Sequence, residues 1–246
     1  LSLQRAVAVA NATTEDVVIE LIDDVYVSGD ILIDNTNGKN ITIDGGKHTL
    51  KIKSTGSKNH SIKIHQTSGT ITFQNMDIVH SGDQMLLRLG EDLYSESKNL
   101  QLKLSDMNIT STTSYKWCLM GTQDLGVFNV EMTNVNVDWT NANSNDKAEF
   151  LRCSETELQE VHFKATGCTF DLSKTKNAEA IHVCGNVSGT VEWIDTDIIT
   201  TAAATRVYTN NGSATITQDV DTGAEFKMAV ANACIEKLRP IQDQFK

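Results

Sequence analysis

The sequence predicts an all-β chain wound into a right-handed parallel β-helix, a solenoid with three sheets and about seven or eight coils. Runs of alternating apolar and polar residues recur along the chain, and a small polar residue separates two such runs once in each coil. Asn, Asp and Gly tolerate the left-handed backbone of a sharp corner, so these residues are expected to stack in a column. The corners, 28 to 33 residues apart, are Asn75, Asp106, Asn134, Gly167 and Thr196.

A short helix is predicted at the start of the chain, within residues 1–15. Ser2 is its N-cap, and the residues that follow place small and apolar side chains on one face. Such a helix covers the open end of the first coil, which would otherwise expose core and strand edges. The residues of the apolar face are Leu3, Ala6, Val7 and Ala10.

The coils are predicted to occupy residues 16–222, with three strands in each regular coil. The first strands of five successive coils read SIKIH, LLRLG, KWCLMG, FLRCS and AIHVCG. Alternation within them points every second side chain inward, which predicts ladders of apolar residues in the interior. The five cysteines lack the paired spacing of a zinc site, so we interpret most of them as small core residues. They are Cys118, Cys153, Cys168, Cys184 and Cys234.

A helical segment is predicted at the end of the chain, over residues 223–246, because apolar residues recur there at helical spacing. The segment either caps the last coil or docks another domain or a second copy. No linker-like stretch interrupts the repeat, so residues 1–246 are predicted to form one domain. The apolar residues of the segment are Val230, Cys234, Leu238, Ile241 and Phe245.

The charge balance argues against two classes of partner. With 21 Lys and Arg against 32 Asp and Glu, the formal charge is −11, whereas nucleic-acid binding draws on clustered basic residues. No apolar stretch approaches the roughly 20 residues that cross a bilayer. We therefore expect neither nucleic-acid binding nor membrane insertion.

The outward positions of the first strands form a predicted basic column on this acidic chain. Carboxylates are expected on the adjoining turn, and the two sets together suit an acidic or neutral sugar chain, or Ca²⁺. No other cofactor is implied, and a metal site built from the six histidines is not expected. The column comprises Lys63, Arg88, Leu119, Arg152 and His182. The carboxylates are Glu91, Asp92, Asp124, Glu155 and Glu157.

The first 55 residues carry a resemblance to a known family. LQRAVAVANATTEDVVIELIDDVYVSGDI followed by ITIDGGKHTLKI resembles the start of pectate-lyase-like adhesive domains of bacterial surface proteins, within the pectin-lyase-like class of β-helices. The resemblance implies secretion, attachment to a cell surface within a longer protein, and binding to host or matrix molecules. Beyond residue 55 the resemblance is to parallel β-helices in general.

The leading functional prediction is a non-catalytic adhesin or binding module that recognises carbohydrate or a protein partner through its outer faces. One alternative is a polysaccharide lyase or glycoside hydrolase that uses Glu91, Asp124, Glu155 and Glu157 as acids and bases. The complete sequence signatures of pectate lyases and polygalacturonases are absent. A second alternative is a stalk or spacer. A binding module needs an aromatic platform, for which the candidates are Trp117, Trp139 and Trp193.

Overall fold

The fold is a parallel β-solenoid preceded by one short helix, seen in a computed structural model. All strand pairs among the described residues are parallel. The predicted fold class is therefore confirmed. The described residues are 1–55, 61–66, 68–90, 98–115, 117–123, 125–141, 148–153, 159–175, 178–183, 187–201, 208–210, 215–220 and 225–229.

The helix α1 (Leu3–Ala12) begins at Ser2, as predicted. The Ser2 hydroxyl accepts a hydrogen bond from the backbone N–H of Arg5 at 3.4 Å. Leu3, Val7 and Ala10 are buried, so this face of the helix covers the first coil. None of the described residues forms a helix long and apolar enough to cross a membrane.

Twenty strands follow the helix in the described part of the chain. In chain order they are β1 (Val17–Glu20), β2 (Val25–Ser28), β3 (Ile31–Asn35), β4 (Ile41–Asp44), β5 (Thr49–Lys53), β6 (Ile62–Gln66), β7 (Ile71–Ser81), β8 (Leu87–Leu89), β9 (Lys98–Ser111), β10 (Cys118–Thr122), β11 (Gly126–Trp139), β12 (Ala148–Cys153), β13 (Gln159–Thr166), β14 (Thr169–Asp171), β15 (Ala178–Val183), β16 (Val187–Ile194), β17 (Asp197–Thr201), β18 (Tyr208–Asn210), β19 (Thr215–Val220) and β20 (Glu225–Ala229).

The strands form two hydrogen-bonded sheets rather than three separate ones. A seven-stranded sheet has the order β18-β15-β12-β10-β8-β6-β3, and the remaining strands form a 13-stranded sheet. In β7, β9 and β11 the predicted second and third strands run on as one strand through the corner. A single left-handed residue bends the chain there, and the pairing resumes in the same register on its other side. In the seven-stranded sheet, β6, β8, β10, β12 and β15 are paired on both sides. The solenoid thus has about five turns between its end strands, slightly fewer than the predicted seven or eight coils.

The predicted corner column is present, with one correction. Asn75, Asp106, Asn134 and Gly167 have φ values of 54°, 53°, 53° and 62° and lie over one another in register. In the last coil the left-handed residue is Asp195, with φ 45°, rather than Thr196. The Thr196 hydroxyl instead donates to the backbone carbonyls around the corner, which makes it a buried partner of the turn.

The interior of the solenoid is apolar and closely packed. Ile ladders fill the first coils, and a cluster of aromatic rings fills the later ones, where Phe170 lies 4.8 Å from Phe150 and 5.8 Å from Trp193 between ring centroids. Cys118, Cys153 and Cys168 are free thiols that are almost fully buried. Cys153 and Cys168 belong to the core, as predicted, whereas Cys118 is in register with the outward Glu149 and lies outside the core cluster. Cys184 and Cys234 lie outside the described residues.

The end of the chain differs in part from the prediction. Residues 225–229 form β20, which pairs with β17, so the solenoid continues where the helical segment was predicted to begin. Pairing with an available strand edge outweighs the local helical spacing at these residues. The apolar residues from Val230 to Phe245 lie outside the described residues.

Candidate functional site

The outer face of the seven-stranded sheet carries the predicted basic column. Register places Lys63 beside Arg88, and Arg152 beside His182. Between these pairs the residue in the column is Gly121, which is in register with Arg88 and with Arg152. The prediction that Leu119 lies in this column is therefore wrong.

Leu119 is not in the column because inward and outward side chains do not alternate strictly in these strands. Leu119 and the next residue, Met120, both belong to the hydrophobic core, and the same is true of Phe150 and Leu151. Two consecutive inward residues place outward positions three residues apart instead of two. Glu149 and Arg152 therefore share the outer face, and their side chains meet: Nη1 of Arg152 lies 3.4 Å from Oε1 of Glu149.

A network of buried charged side chains lies at the centre of this face. Glu149 in β12 and Glu179 in β15 are in register, and they are only 1% and 2% exposed. Nδ1 of His182 lies 2.7 Å from Oε1 of Glu149. The backbone N–H of Glu149 donates to the carbonyl oxygen of Trp117 at 2.7 Å, which fixes β12 against the segment before β10.

Aromatic side chains lie beside this network. The indole of Trp117 is 43% exposed, and the guanidinium carbon of Arg152 lies 5.6 Å from its ring centroid. The ring of Tyr115 contacts Trp117 edge-on, with 5.8 Å between centroids. Burial raises the pKa of Tyr115 to about 12, so its hydroxyl stays protonated at neutral pH. Trp139 and Trp193 are fully buried in the core, which leaves Trp117 as the surface platform among the three tryptophans.

The remaining predicted site residues are Lys63 and the five carboxylates. Lys63 is described, and its ammonium group lies 2.8 Å from Oδ2 of Asp30. The five predicted carboxylates lie outside the described residues: Glu91, Asp92, Asp124, Glu155 and Glu157.

Glu149 and Glu179 are functional candidates that the sequence reasoning missed. A signal for them exists, since Ala148-Glu149 and Ala178-Glu179 recur 30 residues apart at the same point of successive first strands. Each glutamate interrupts an otherwise apolar start of its strand. Such a recurrence marks an outward column that is distinct from the one containing Arg152 and His182.

Comparison with known families agrees with the resemblance seen in the first residues. Residues 3–115 match a family model described as "Putative pectate lyase-like adhesive domain". The pectate lyase-like adhesive match covers just under half of the 246 residues. It contains Lys63, Arg88 and Tyr115, whereas Trp117 and the network around Glu149 follow it in the chain.

The match agrees with the resemblance of the first residues, and its description points to an adhesive role in general. No curated protein and no solved structure gives a significant match. The details of a binding site must therefore be argued from the geometry of this chain.

Proposed function

We propose that this chain is a non-catalytic adhesive module that binds an acidic carbohydrate on the outer face of the seven-stranded sheet. In this proposal the module is part of an exported bacterial surface protein and acts at the cell surface. The observation that carries the proposal is the pairing of the exposed Trp117 indole with the Arg152 guanidinium, 5.6 Å from the ring centroid.

An indole beside a guanidinium suits the chemistry of a charged sugar. The flat apolar indole packs against the C–H face of a sugar ring, and the guanidinium offers several N–H donors to a carboxylate and its neighbouring hydroxyls. Lys63, Arg88 and His182 extend the same column over successive coils. A chain of acidic sugars lying along the column would meet a positive side chain at several coils, on a molecule whose formal charge is −11.

A glycan array tests the proposal directly. Wild-type protein is expected to bind uronate-containing or sulfated glycans, and Trp117→Ala and Arg152→Ala are each expected to weaken binding by about tenfold or more. Tyr26→Ala is the matched control, since Tyr26 is an exposed aromatic residue, 66% accessible, in β2 of the other sheet. Binding should also weaken as salt rises, because it depends on attraction between opposite charges at a part-buried surface.

Two outcomes would contradict this proposal. An array without hits for the folded wild type would favour the spacer alternative. Hits that survive both Trp117→Ala and Arg152→Ala would place recognition on another face.

The enzyme alternative has its own test. Release of reducing or unsaturated ends is measured with pectin, uronate and glycan substrates, for the wild type and for Glu149→Gln, Glu179→Gln and the amide variants of Asp124, Glu155 and Glu157. Turnover that is lost in one of these variants would replace the adhesive proposal. Glycosidases need two carboxyl groups with room for a sugar bond between them. The almost complete burial of Glu149 and Glu179 favours binding over hydrolysis at this pair.

A further inference from the structure

Three metal-ligand side chains converge behind the exposed Trp117 platform. Glu149, Glu179 and His182 each offer one ligand atom, and these atoms all lie within 4.8 Å of one another. Two come from adjacent strands in register, and the third follows Glu179 by three residues on the same outer face. Parallel pairing of β12 and β15 therefore holds the set together without any contribution from a flexible loop.

The burial of this set is unusual for two adjacent carboxylates. Glu149 and Glu179 are 1% and 2% exposed. Buried carboxylates carry a large desolvation cost unless a cation, a proton or hydrogen-bond donors compensate them, and like charges in contact raise that cost further. Among the described residues, the guanidinium of Arg152 contacts Glu149 and supplies a permanent positive charge to this carboxylate.

One oxygen of the set has no hydrogen-bond partner. Oε1 of Glu149 contacts both Nδ1 of His182 and Nη1 of Arg152. Oε2 of the same carboxylate is buried and makes no hydrogen bond within the described part of the chain. A buried carboxylate oxygen in this state needs an electropositive partner.

We propose that Glu149, Glu179 and His182 bind a divalent transition-metal cation of the Zn²⁺ class. One imidazole nitrogen with two carboxylate oxygens is a mixed donor set that suits Zn²⁺, whereas Ca²⁺ and Mg²⁺ favour oxygen ligands alone. Metal–ligand bonds of about 2.0 to 2.2 Å in a tetrahedral site place neighbouring ligand atoms roughly 3.3 Å apart. The distance of 2.7 Å between Nδ1 of His182 and Oε1 of Glu149 is that of a hydrogen bond. On binding, the cation would replace the proton of this hydrogen bond, and the two side chains would move slightly apart.

Arg152 would act as a positioning residue in this site. Its guanidinium contacts Oε1 of Glu149 and lies over Trp117, so it links the buried ligands to the exposed platform. The metal inference goes beyond the proposed function and does not depend on it, because it rests on the buried set alone. It also differs from the sequence expectations, which placed Ca²⁺ on other carboxylates and gave the histidines no metal role.

The test measures Zn²⁺ binding to untagged, chelator-treated protein by isothermal titration calorimetry, with Ca²⁺ as the comparison ion. One Zn²⁺ per chain is expected, with much weaker binding of Ca²⁺. Glu179→Gln and His182→Gln should each weaken Zn²⁺ binding by more than about 100-fold, since they remove a ligand rather than a residue that supports one. Co²⁺ should give visible d–d absorption bands in the wild type that both variants lose.

The matched control is another histidine–carboxylate contact on the same protein. Nε2 of His162 lies 2.7 Å from Oε1 of Glu160 on the 13-stranded sheet, and no second carboxylate of the described residues completes a ligand set with this pair. His162→Gln should leave Zn²⁺ affinity unchanged. Far-UV circular dichroism of each variant shows whether it is folded.

The inference is overturned if folded wild-type protein binds no Zn²⁺, or if both ligand variants keep wild-type affinity while folded. It is also overturned if His162→Gln weakens binding as much as His182→Gln, or if Ca²⁺ binds more tightly than Zn²⁺. If both ligand variants fail to fold, the proton NMR spectrum of the Co²⁺-loaded wild type decides, because the absence of a paramagnetically shifted imidazole N–H signal would exclude a histidine ligand. Glycan binding measured with and without Zn²⁺ separates this inference from the adhesive proposal.

Discussion

Asn134 donates a hydrogen bond from its side-chain amide to Oδ1 of Asp106, the residue directly beside it in the preceding coil, at 3.0 Å. Both residues have φ 53°, in the left-handed region. The same side chains therefore bend the chain at the corner and join one coil to the next.

Replacing Asn134 should separate these two contributions to stability. Asn134→Ala loses the hydrogen bond and places an ordinary L residue in the left-handed region, so we expect a loss of about 2 kcal/mol in the free energy of unfolding. Asn134→Gly keeps the conformation and loses only the hydrogen bond, so it should cost about 1 kcal/mol or less. Denaturant unfolding followed by circular dichroism measures both. Equal losses would show that the left-handed conformation contributes little.

Two glycines provide a matched test of backbone space in the solenoid. Both Gly29 and Gly189 have positive φ, at 107° and 138°. A Cβ at Gly29 would find its nearest atom 3.9 Å away, whereas a Cβ at Gly189 would lie 1.8 Å from the carbonyl oxygen of Val161. Gly29→Ala should cost about 1 to 2 kcal/mol from backbone strain alone, and Gly189→Ala about 3 kcal/mol or more. Thermal unfolding gives the ranking, and a reversed order would refute the contact between β13 and β16.

Acid should destabilise the fold through His80. Burial lowers the pKa of His80 from 6.5 to about 3, and its Nδ1 lies 2.8 Å from the hydroxyl oxygen of Ser111. The unfolded chain takes up this proton below about pH 6.5, and the folded chain does not do so until about pH 3. The unfolded state therefore binds more protons in this window, and stability falls by about 1.4 kcal/mol for each pH unit below 6.5.

Unfolding midpoints measured between pH 7 and pH 4 check this expectation. His80→Asn removes the titrating ring and should flatten the pH dependence. Tyr26→Ala is the control, since it replaces an exposed side chain that does not titrate in this range, and it should leave the slope as in the wild type. An unchanged slope in His80→Asn would assign the acid sensitivity to other groups.

The buried cysteines should resist modification in the folded protein. Burial raises the pKa of both Cys118 and Cys168, and Cys153 is fully buried. A thiol reagent reacts with the accessible thiolate, so these three residues should react only after unfolding. Iodoacetamide labelling with and without denaturant, followed by peptide mass spectrometry, gives the answer for each cysteine. Rapid labelling of any of the three in the folded protein would show that the segments covering that thiol open.

Much of the fold follows from the sequence because its signals are local. A small polar residue that tolerates φ near 55° marks each corner, and alternation marks the inward ladder between corners. The corner residue of the last coil was predicted at Thr196, one residue too late. Asp195 and Thr196 are both small and polar, and only the backbone conformation shows which of them is left-handed. The prediction that Leu119 faces outward was wrong because Leu119 and Met120 both point inward, which breaks the alternation of inward and outward residues.

The amino-acid sequence by itself determined the solenoid, its helical cap, the corner column and the outward basic residues Arg88, Arg152 and His182. These features depend on local backbone preference and on the periodicity of apolar residues, and both can be read directly from the sequence. Only the tertiary structure decided that Glu149 and Glu179 are buried beside His182 and that Trp117, rather than Trp139 or Trp193, reaches the surface. Burial depends on what packs over a side chain in three dimensions, and the chain segments that do so are far apart in sequence.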